Sequence, residues 1–158
     1  MTAEAAASIR DAKSADRDSI VSLMARYYAE DGYPFDRIAA ERAVADLTRD
    51  ASLGCLWVVE QHGEIVGYLA VTLGFSLEYR GRDAFVDELY LDAAVRGQGL
   101  GRRLLDVATA YCRDAGVSAM HLEVETHRQA AMKLYEQAGF ETHDRVLMTR
   151  FLDEGRRP

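Results

Sequence analysis

A glycine-rich turn between a strand and a helix constrains this chain more than any other stretch. Residues 86–112 read V-D-E-L-Y-L-D-A-A-V-R-G-Q-G-L-G-R-R-L-L-D-V-A-T-A-Y-C. The first part has strand composition, Arg96-Gly97-Gln98-Gly99-Leu100-Gly101 turns the chain, and apolar spacing predicts a helix from Gly99 to Asp114. Three glycines in five residues allow positive φ and close approach of a ligand to the backbone. A helix starting there leaves its first amides unpaired and presents the positive end of its dipole. Arg96, Arg102 and Arg103 add positive charge around that end. The combination predicts a receptor for a phosphorylated ligand.

The remaining pattern alternates strand and helix signals. Ser8-Ile9-Arg10 is a short first strand. Ser14 or Asp16 can cap a helix whose apolar face is Ile20, Leu23, Met24, Tyr27 and Tyr28. It stops at the breaker cluster Asp31-Gly32-Tyr33-Pro34. Asp36 can cap a second helix carrying Ala40, Ala43, Val44 and Leu47. Leu56–Glu60 and Ile65–Leu73 read as a hairpin about a turn at Gln61–Glu64, and Ala84–Leu91 as the next strand. Between them Gly74–Arg82 is polar and aromatic. Beyond the central helix, Ser118–Glu125 alternates cleanly, with Met120, Leu122 and Val124 on one face. Gln129–Gln137 reads as a helix ended by Gly139, and Phe140–Leu152 as a final strand region. The order predicts an α/β fold with a mixed central sheet of about six to seven strands flanked by about four helices.

A length of 158 residues suits a single domain, with its core over about 8–152 and loose termini. The apolar fraction of 49% predicts an ordered core. A net charge of −7 argues against broad nucleic-acid binding and favours cationic small molecules. No apolar run reaches membrane-spanning length, and the first residues, M-T-A-E-A-A-A-S, lack the features of a signal peptide, so a cytoplasmic protein without membrane partners is expected. Cys55 and Cys112 are far apart and read as reduced core thiols. His62, His121, His127 and His143 have no metal-ligand spacing, so no metal is expected.

Three phosphate-binding turns compete for residues 96–101. A P-loop needs Lys-Ser or Lys-Thr after its last glycine, and none follows. A dinucleotide turn needs G-x-G-x-x-G early in a βαβ unit, whereas Gly97, Gly99 and Gly101 give G-x-G-x-G after several hairpin strands. The third is the acyl-CoA pyrophosphate turn R/Q-x-x-G-x-G/A, which Arg96–Gly101 fits without a mismatch. Glu88-Leu89-Tyr90-Leu91-Asp92 precedes the turn, and Ala131–Phe140 matches A-x-x-L-Y-E-x-x-G-F. With these segments together, the chain resembles the GNAT superfamily of N-acetyltransferases over about residues 8–152.

That resemblance implies an enzyme that transfers the acetyl group of acetyl-CoA to a primary amine through a ternary complex. Acyl transfer needs a neutral amine, a donor for the developing oxyanion and a proton for the departing thiolate. Tyr135 is the candidate acid, since an ordinary phenol has a pKa of about 10, near that of a thiol; the resemblance implies the same role. Asp87 and Glu88 are consecutive on a strand and are expected to point to opposite faces. By resemblance to polyamine-type members, Glu88 is favoured as base, through water, with Asp87 as the alternative. Glu123 and Glu125 stand in reserve, and Glu60 and Glu78 are weaker candidates.

The resemblance also implies a sheet that splays beside the Glu88 strand, with main-chain groups of Leu89 and Leu91 meeting the cofactor arm and the oxyanion donor near Leu91. The pyrophosphate is expected on the amides of Gly97, Gln98, Gly99, Leu100, Gly101 and Arg102, with charge from Arg96 and Arg102. Arg128 stands where the family often has Asn, and reads either as a solvated helix-start residue or as a cofactor phosphate contact. Tyr28, Asp31, Phe35, Glu78 and Tyr79 are the candidate acceptor-pocket residues, a mixture suited to a cationic amine. Two other readings stay open, acetylation of a protein N-terminus or lysine and a catalytically silent acyl-CoA-binding module. Family members often form homodimers, which this sequence permits.

Overall fold

The computed structural model describes residues 6–153 and Gly155, so the loose-tail readings of residues 1–5, Glu154 and 156–158 lie outside it. The elements are β1 (Ser8–Asp11), α1 (Arg17–Asp31), α2 (Arg37–Arg49), β2 (Gly54–Gln61), β3 (Glu64–Ser76), β4 (Gly81–Leu91), α3 (Leu100–Asp114), β5 (Ala119–His121) and α4 (Gln129–Gln137). Short 3-10 turns at Ser14–Asp16 and Ala93–Val95 precede α1 and α3. The sheet order is β1-β2-β3-β4-β5. The first four strands pair antiparallel and β5 joins β4 in parallel, with α3 as the crossover that a parallel pair requires.

Helices cover both faces of the sheet, so its inner strands carry apolar side chains on both sides. Leu56, Val58, Tyr68 and Ala70 pack against Ile20, Val21 and Leu23 of α1 and Ala40 and Val44 of α2. Trp57, Val59, Leu69 and Val71 pack against Leu104, Leu105 and Ala108 of α3. The chain enters α1 through a charged clasp. Arg10 donates to both oxygens of Asp16, at 2.7 and 2.9 Å, and to Glu60 at 2.8 Å. Asp36 caps α2 by accepting from the Ala39 amide at 3.1 Å, as its position predicts.

One residue sets the phase of β4. Ala70 pairs with Glu88, but the next pair is Val71 with Val86, so Asp87 is an extra residue in a β-bulge. Ala84 and Val86 lie in the core under α3. Two residues beyond Val86, Glu88 meets Tyr28 and Tyr68, and Tyr90 joins the core under α1 and α2. A regular strand would have kept Val86 and Glu88 on one face.

Four sequence expectations need correction. The described residues form five strands, not six or seven. The β3–β4 hairpin runs deeper than the polar Gly74–Arg82 pattern predicts, with only Leu77–Arg80 left between the strands. Backbone pairing there does not require buried side chains, so composition hides it. The expected Ser118–Glu125 strand pairs only at Ala119–His121, because β4 and the following chain part after Phe85 and His121. The expected final strand joins no sheet among the described residues; Val146, Leu147, Met148 and Leu152 are exposed, and strand propensity without a neighbouring edge does not form a ladder.

Gly54 begins β2 at φ 149°, and a Cβ added there would lie 1.9 Å from the Val71 carbonyl oxygen. Gly54→Ala should therefore destabilise the fold by about 2 kcal/mol or more in urea denaturation. An unchanged midpoint would mean that the β2–β3 pairing tolerates the clash.

Candidate active site

The glycine turn links β4 to α3. Gly97 and Gly99 adopt φ of 77° and 78°, the left-handed conformation that favours glycine. The main-chain N–H groups of Gly97, Gln98, Gly99, Leu100, Gly101 and Arg102 find no acceptor among the described residues. They head a 15-residue helix whose dipole adds positive potential at the same place. The turn thus offers a concave run of donors to an anion.

The third glycine has a different reason. Gly101 is buried, and a Cβ there would come 3.0 Å from Cδ2 of Leu134. Its small size lets α4 approach α3, which seats the neighbouring Tyr135. The arginines around the turn also have partners within the fold. Arg96 donates to the Leu91 carbonyl and to Glu30, both at 2.8 Å, and lies 5.3 Å from the Tyr90 ring centre. Arg102 binds Asp106 at 3.0 Å and the Gln137 carbonyl at 2.7 Å, and Arg103 binds the Ala7 carbonyl at 3.1 Å. Their charges flank the turn while their guanidinium groups tie it to neighbouring elements.

Beyond Phe85, β4 has no strand partner on its β5 side among the described residues. The Asp92 amide donates to the Val66 carbonyl at 2.8 Å, toward β3. Alternation along the strand turns the main-chain groups of Leu89 and Leu91 the other way, to the open edge. This is the splay that the sequence resemblance implies.

A cleft of about 380 Å³ lies along this edge, lined among others by Asp87, Glu88, Leu89, Glu123, Glu125 and Tyr135. Asp87 and Glu88 both line it, which overturns the opposite-face expectation; the bulge is the reason. Their states differ. Tyr28 donates to Glu88 Oε1 and Tyr68 to Oε2, each at 2.7 Å. Burial pushes the Glu88 carboxyl upward, and the two hydroxyls offset part of that rise. Burial, reinforced by the Glu88 charge, pushes both phenols far up. Asp87 has no side-chain partner among the described residues and opens into the cleft. Loss of solvent around it also pushes its carboxyl upward.

Tyr135 projects from α4 into the same cleft. Its hydroxyl makes no hydrogen bond within the described residues and is not sealed from solvent. Burial raises the phenol and the Arg128 charge lowers it. Arg128 pairs with Asp31 and lies 6.0 Å from the Tyr27 ring centre. Arg128 stands at the start of α4, as expected, and its guanidinium is an ion-pair partner in the cleft wall rather than a freely solvated group.

The other candidates separate. Glu123 and Glu125 line the cleft. Phe35 packs edge-on to Tyr28 at 5.4 Å, as part of the α1–α2 core. Glu78 is held by both nitrogens of Arg145, at 2.7 and 3.0 Å, and Tyr79 lies against His121 at 4.8 Å in a neighbouring cavity. Glu60 is tied to Arg10. Tyr27, which lines the cleft, and Tyr68, which binds Glu88, are site neighbours that sequence reasoning missed. Tyr68 carried a usable signal, since a tyrosine within a Val/Leu-rich strand must bury its hydroxyl against a partner.

Residues 18–140 match the sequence model of the Acetyltransferase (GNAT) family. The chain is 30% identical over 137 residues to the uncharacterized N-acetyltransferase YhfO of Bacillus subtilis, covering 84% of this chain and 89% of that protein. It is 28% identical over 134 residues to N-acetyltransferase 8F1 of Rattus norvegicus, covering 82% of this chain and 60% of that protein. Among solved structures, an integron cassette protein from the mobile metagenome of Cole Harbour Salt Marsh superposes with a TM-score of 0.83 at 36% identity, covering 92% and 90% of the two chains. An aminoglycoside N-acetyltransferase, AAC(6')-Iy, in complex with CoA superposes with a TM-score of 0.82 at 14% identity, covering 97% and 99%, a likeness of fold.

The Glu88 clamp makes a stability prediction. Its folded-state pKa is raised, so the native state holds a proton that the unfolded state has lost between the unfolded and folded values. Stability attributable to Glu88 should therefore fall as pH rises through that window, and Glu88→Gln should flatten the fall. Tyr68→Phe, which leaves one carboxylate oxygen without its donor, should cost about 2 kcal/mol at neutral pH. Denaturant titration across pH checks both; a fall that persists in Glu88→Gln would move the effect to another group.

Proposed function

The chain belongs to the GNAT family of acetyltransferases and is an acyltransferase; on that premise we propose that it transfers the acetyl group of acetyl-CoA directly to the primary amine of a small cationic molecule. The observation that carries this reading is a juxtaposition. Gly101, within the run of unpaired amides at Gly97–Arg102, lies beside Leu91 and Leu134, Leu91 and Leu89 belong to the open edge, and Leu89 and Leu134 border Asp87 and Tyr135 in the cleft. The donor set suits a diphosphate, and the open edge suits an extended amide-bearing arm that can hydrogen-bond like a strand. Acetyl-CoA supplies the activated thioester.

The chain's own groups divide the proton chemistry. A primary amine arrives as the ammonium ion and must lose a proton before its lone pair can attack. Asp87 is the group best suited to take it, directly or through water, because its oxygens are free and its surroundings raise its basicity. Glu88 is the fixed charge beside it, since both of its oxygens already accept from tyrosines. This reverses the order of preference that the sequence resemblance suggests. As the carbon–sulfur bond breaks, Tyr135 donates its proton to the thiolate and is reprotonated from the second proton that the amine loses. The Leu91 amide, on the open edge, is the main-chain donor assigned to the developing oxyanion. Five carboxylates and one arginine in the cleft wall favour a cationic acceptor over a neutral or anionic one.

Tyr135→Phe should lower kcat by about 100-fold while CoA affinity, read by calorimetry, stays within about twofold. Asp87→Asn should lower kcat/KM similarly and abolish its acidic limb, with Glu88→Gln less affected. Gly99→Val should weaken CoA binding by about tenfold or more, through the strained backbone. A panel of amines with a free-thiol readout tests the acceptor class. Turnover confined to neutral amines, anionic amines or intact proteins would contradict it.

A further inference from the structure

Among the described residues, Arg128 is the single arginine in a cleft wall that also holds five carboxylates. It sits just before α4, and its partner Asp31 ends α1, so their ion pair joins two helices across the cleft. The Asp31 side chain is only 7% exposed, and the guanidinium lies 6.0 Å from the Tyr27 ring centre, so the arginine is seated by charge and by an aromatic face. A second link crosses in the same sense: Tyr33 donates to Glu125. Together these contacts form a strap from the end of α1 to the segment leading into α4. Asp87, Glu88 and Tyr135 line the same cleft.

The charges divide accordingly. Asp87, Glu88 and Glu123 have no cationic partner among the described residues, so the region where an amine would react is anionic. At the strap, Asp31 is already neutralised by Arg128. A compact monocation finds only attraction. An acceptor with a second cationic group must bring that group beside the guanidinium, or displace it from a mostly buried carboxylate that it satisfies.

Resting on the amine-acetylation reading above, we propose that Arg128, held by Asp31, is a specificity-determining residue that admits acceptors with one cationic group and rejects those with a second at the far end. The discrimination works by repulsion as well as by fit.

The test compares kcat/KM for butylamine and for putrescine, its diamine counterpart of equal chain length, in the native enzyme and in variants. Arg128→Gln removes the charge and leaves Asp31 to receive a distal ammonium, so the putrescine-to-butylamine ratio should rise about tenfold. Arg128→Lys keeps the charge and should hold the ratio near the native value. Asp31→Asn leaves the arginine unneutralised and should lower the ratio by about fivefold. The double variant should lose the gain of Arg128→Gln. A merely structural strap would weaken both acceptors together and leave the ratio fixed; an unmoved ratio in Arg128→Gln and Asp31→Asn, with butylamine still acetylated, overturns the proposal. If the native enzyme binds acetyl-CoA yet acetylates neither amine, the cationic-amine reading itself fails and the proposal falls with it.

Discussion

A single extra residue in β4 governs where every other part of the site can be. The bulge at Asp87 shifts the strand by one position, so that Ala84 and Val86 pack under α3 while Glu88 and Tyr90 turn to the α1–α2 side. The same shift returns Leu89 and Leu91 to the α3 side as apolar cover, with their amides on the edge that β5 leaves unpaired. Without it, the Glu88 carboxylate would face the apolar layer under α3, a burial that costs several kcal/mol unless the group is paired. The bulge therefore does two things at once: it keeps a charge out of one core and delivers it to the partners that the other side supplies.

Those partners explain why so acidic a cleft holds together. Tyr28 comes from α1 and Tyr68 from β3, and each satisfies one oxygen of Glu88. Tyr90, whose phenol burial and Glu30 push up to about 12, donates to Glu30, which also receives Arg96. Tyrosine hydroxyls thus tie α1 to the sheet through carboxylates, and the Arg96 link continues to the glycine turn. Asp87 is left outside this network, open to the cleft and without a partner among the described residues. Placing an unpaired carboxylate there works against stability and makes the group available for proton transfer.

Much of this was legible in the residues themselves. The turn, its helix, the capping of α2 by Asp36 and the helix that carries Tyr135 all follow from local signals of spacing and glycine placement, while the bearing of Tyr135 on the site came from the family resemblance. The bulge was not legible, because it is a property of the pairing between two strands and nothing in the order V-D-E-L-Y announces it; hence the expectation that Asp87 and Glu88 would face apart. Gly101 fitted the phosphate-turn pattern, yet its size serves the contact with Leu134, a packing reason that only the position of α4 reveals. Glu78 and Tyr79 were close in sequence to the cleft strand but lie across the long hairpin, where Arg145 and His121 engage them. Arg128 and Asp31 are 97 positions apart, a separation that no local pattern bridges. Residues 140–152 have strand composition, but composition does not create the neighbouring edge that a strand needs.

The central proposal is that two neighbouring sets of main-chain groups, the amides of the glycine turn and the open edge of β4, receive acetyl-CoA and fix where its thioester meets Asp87 and Tyr135. Backbone amide resonances in a nitrogen–proton correlation spectrum, followed as acetyl-CoA is added, test this most directly. The account predicts the largest shifts at Gly97–Arg102, with accompanying shifts at Leu89 and Leu91. Saturable binding that leaves those amides unmoved and perturbs a different surface would contradict it.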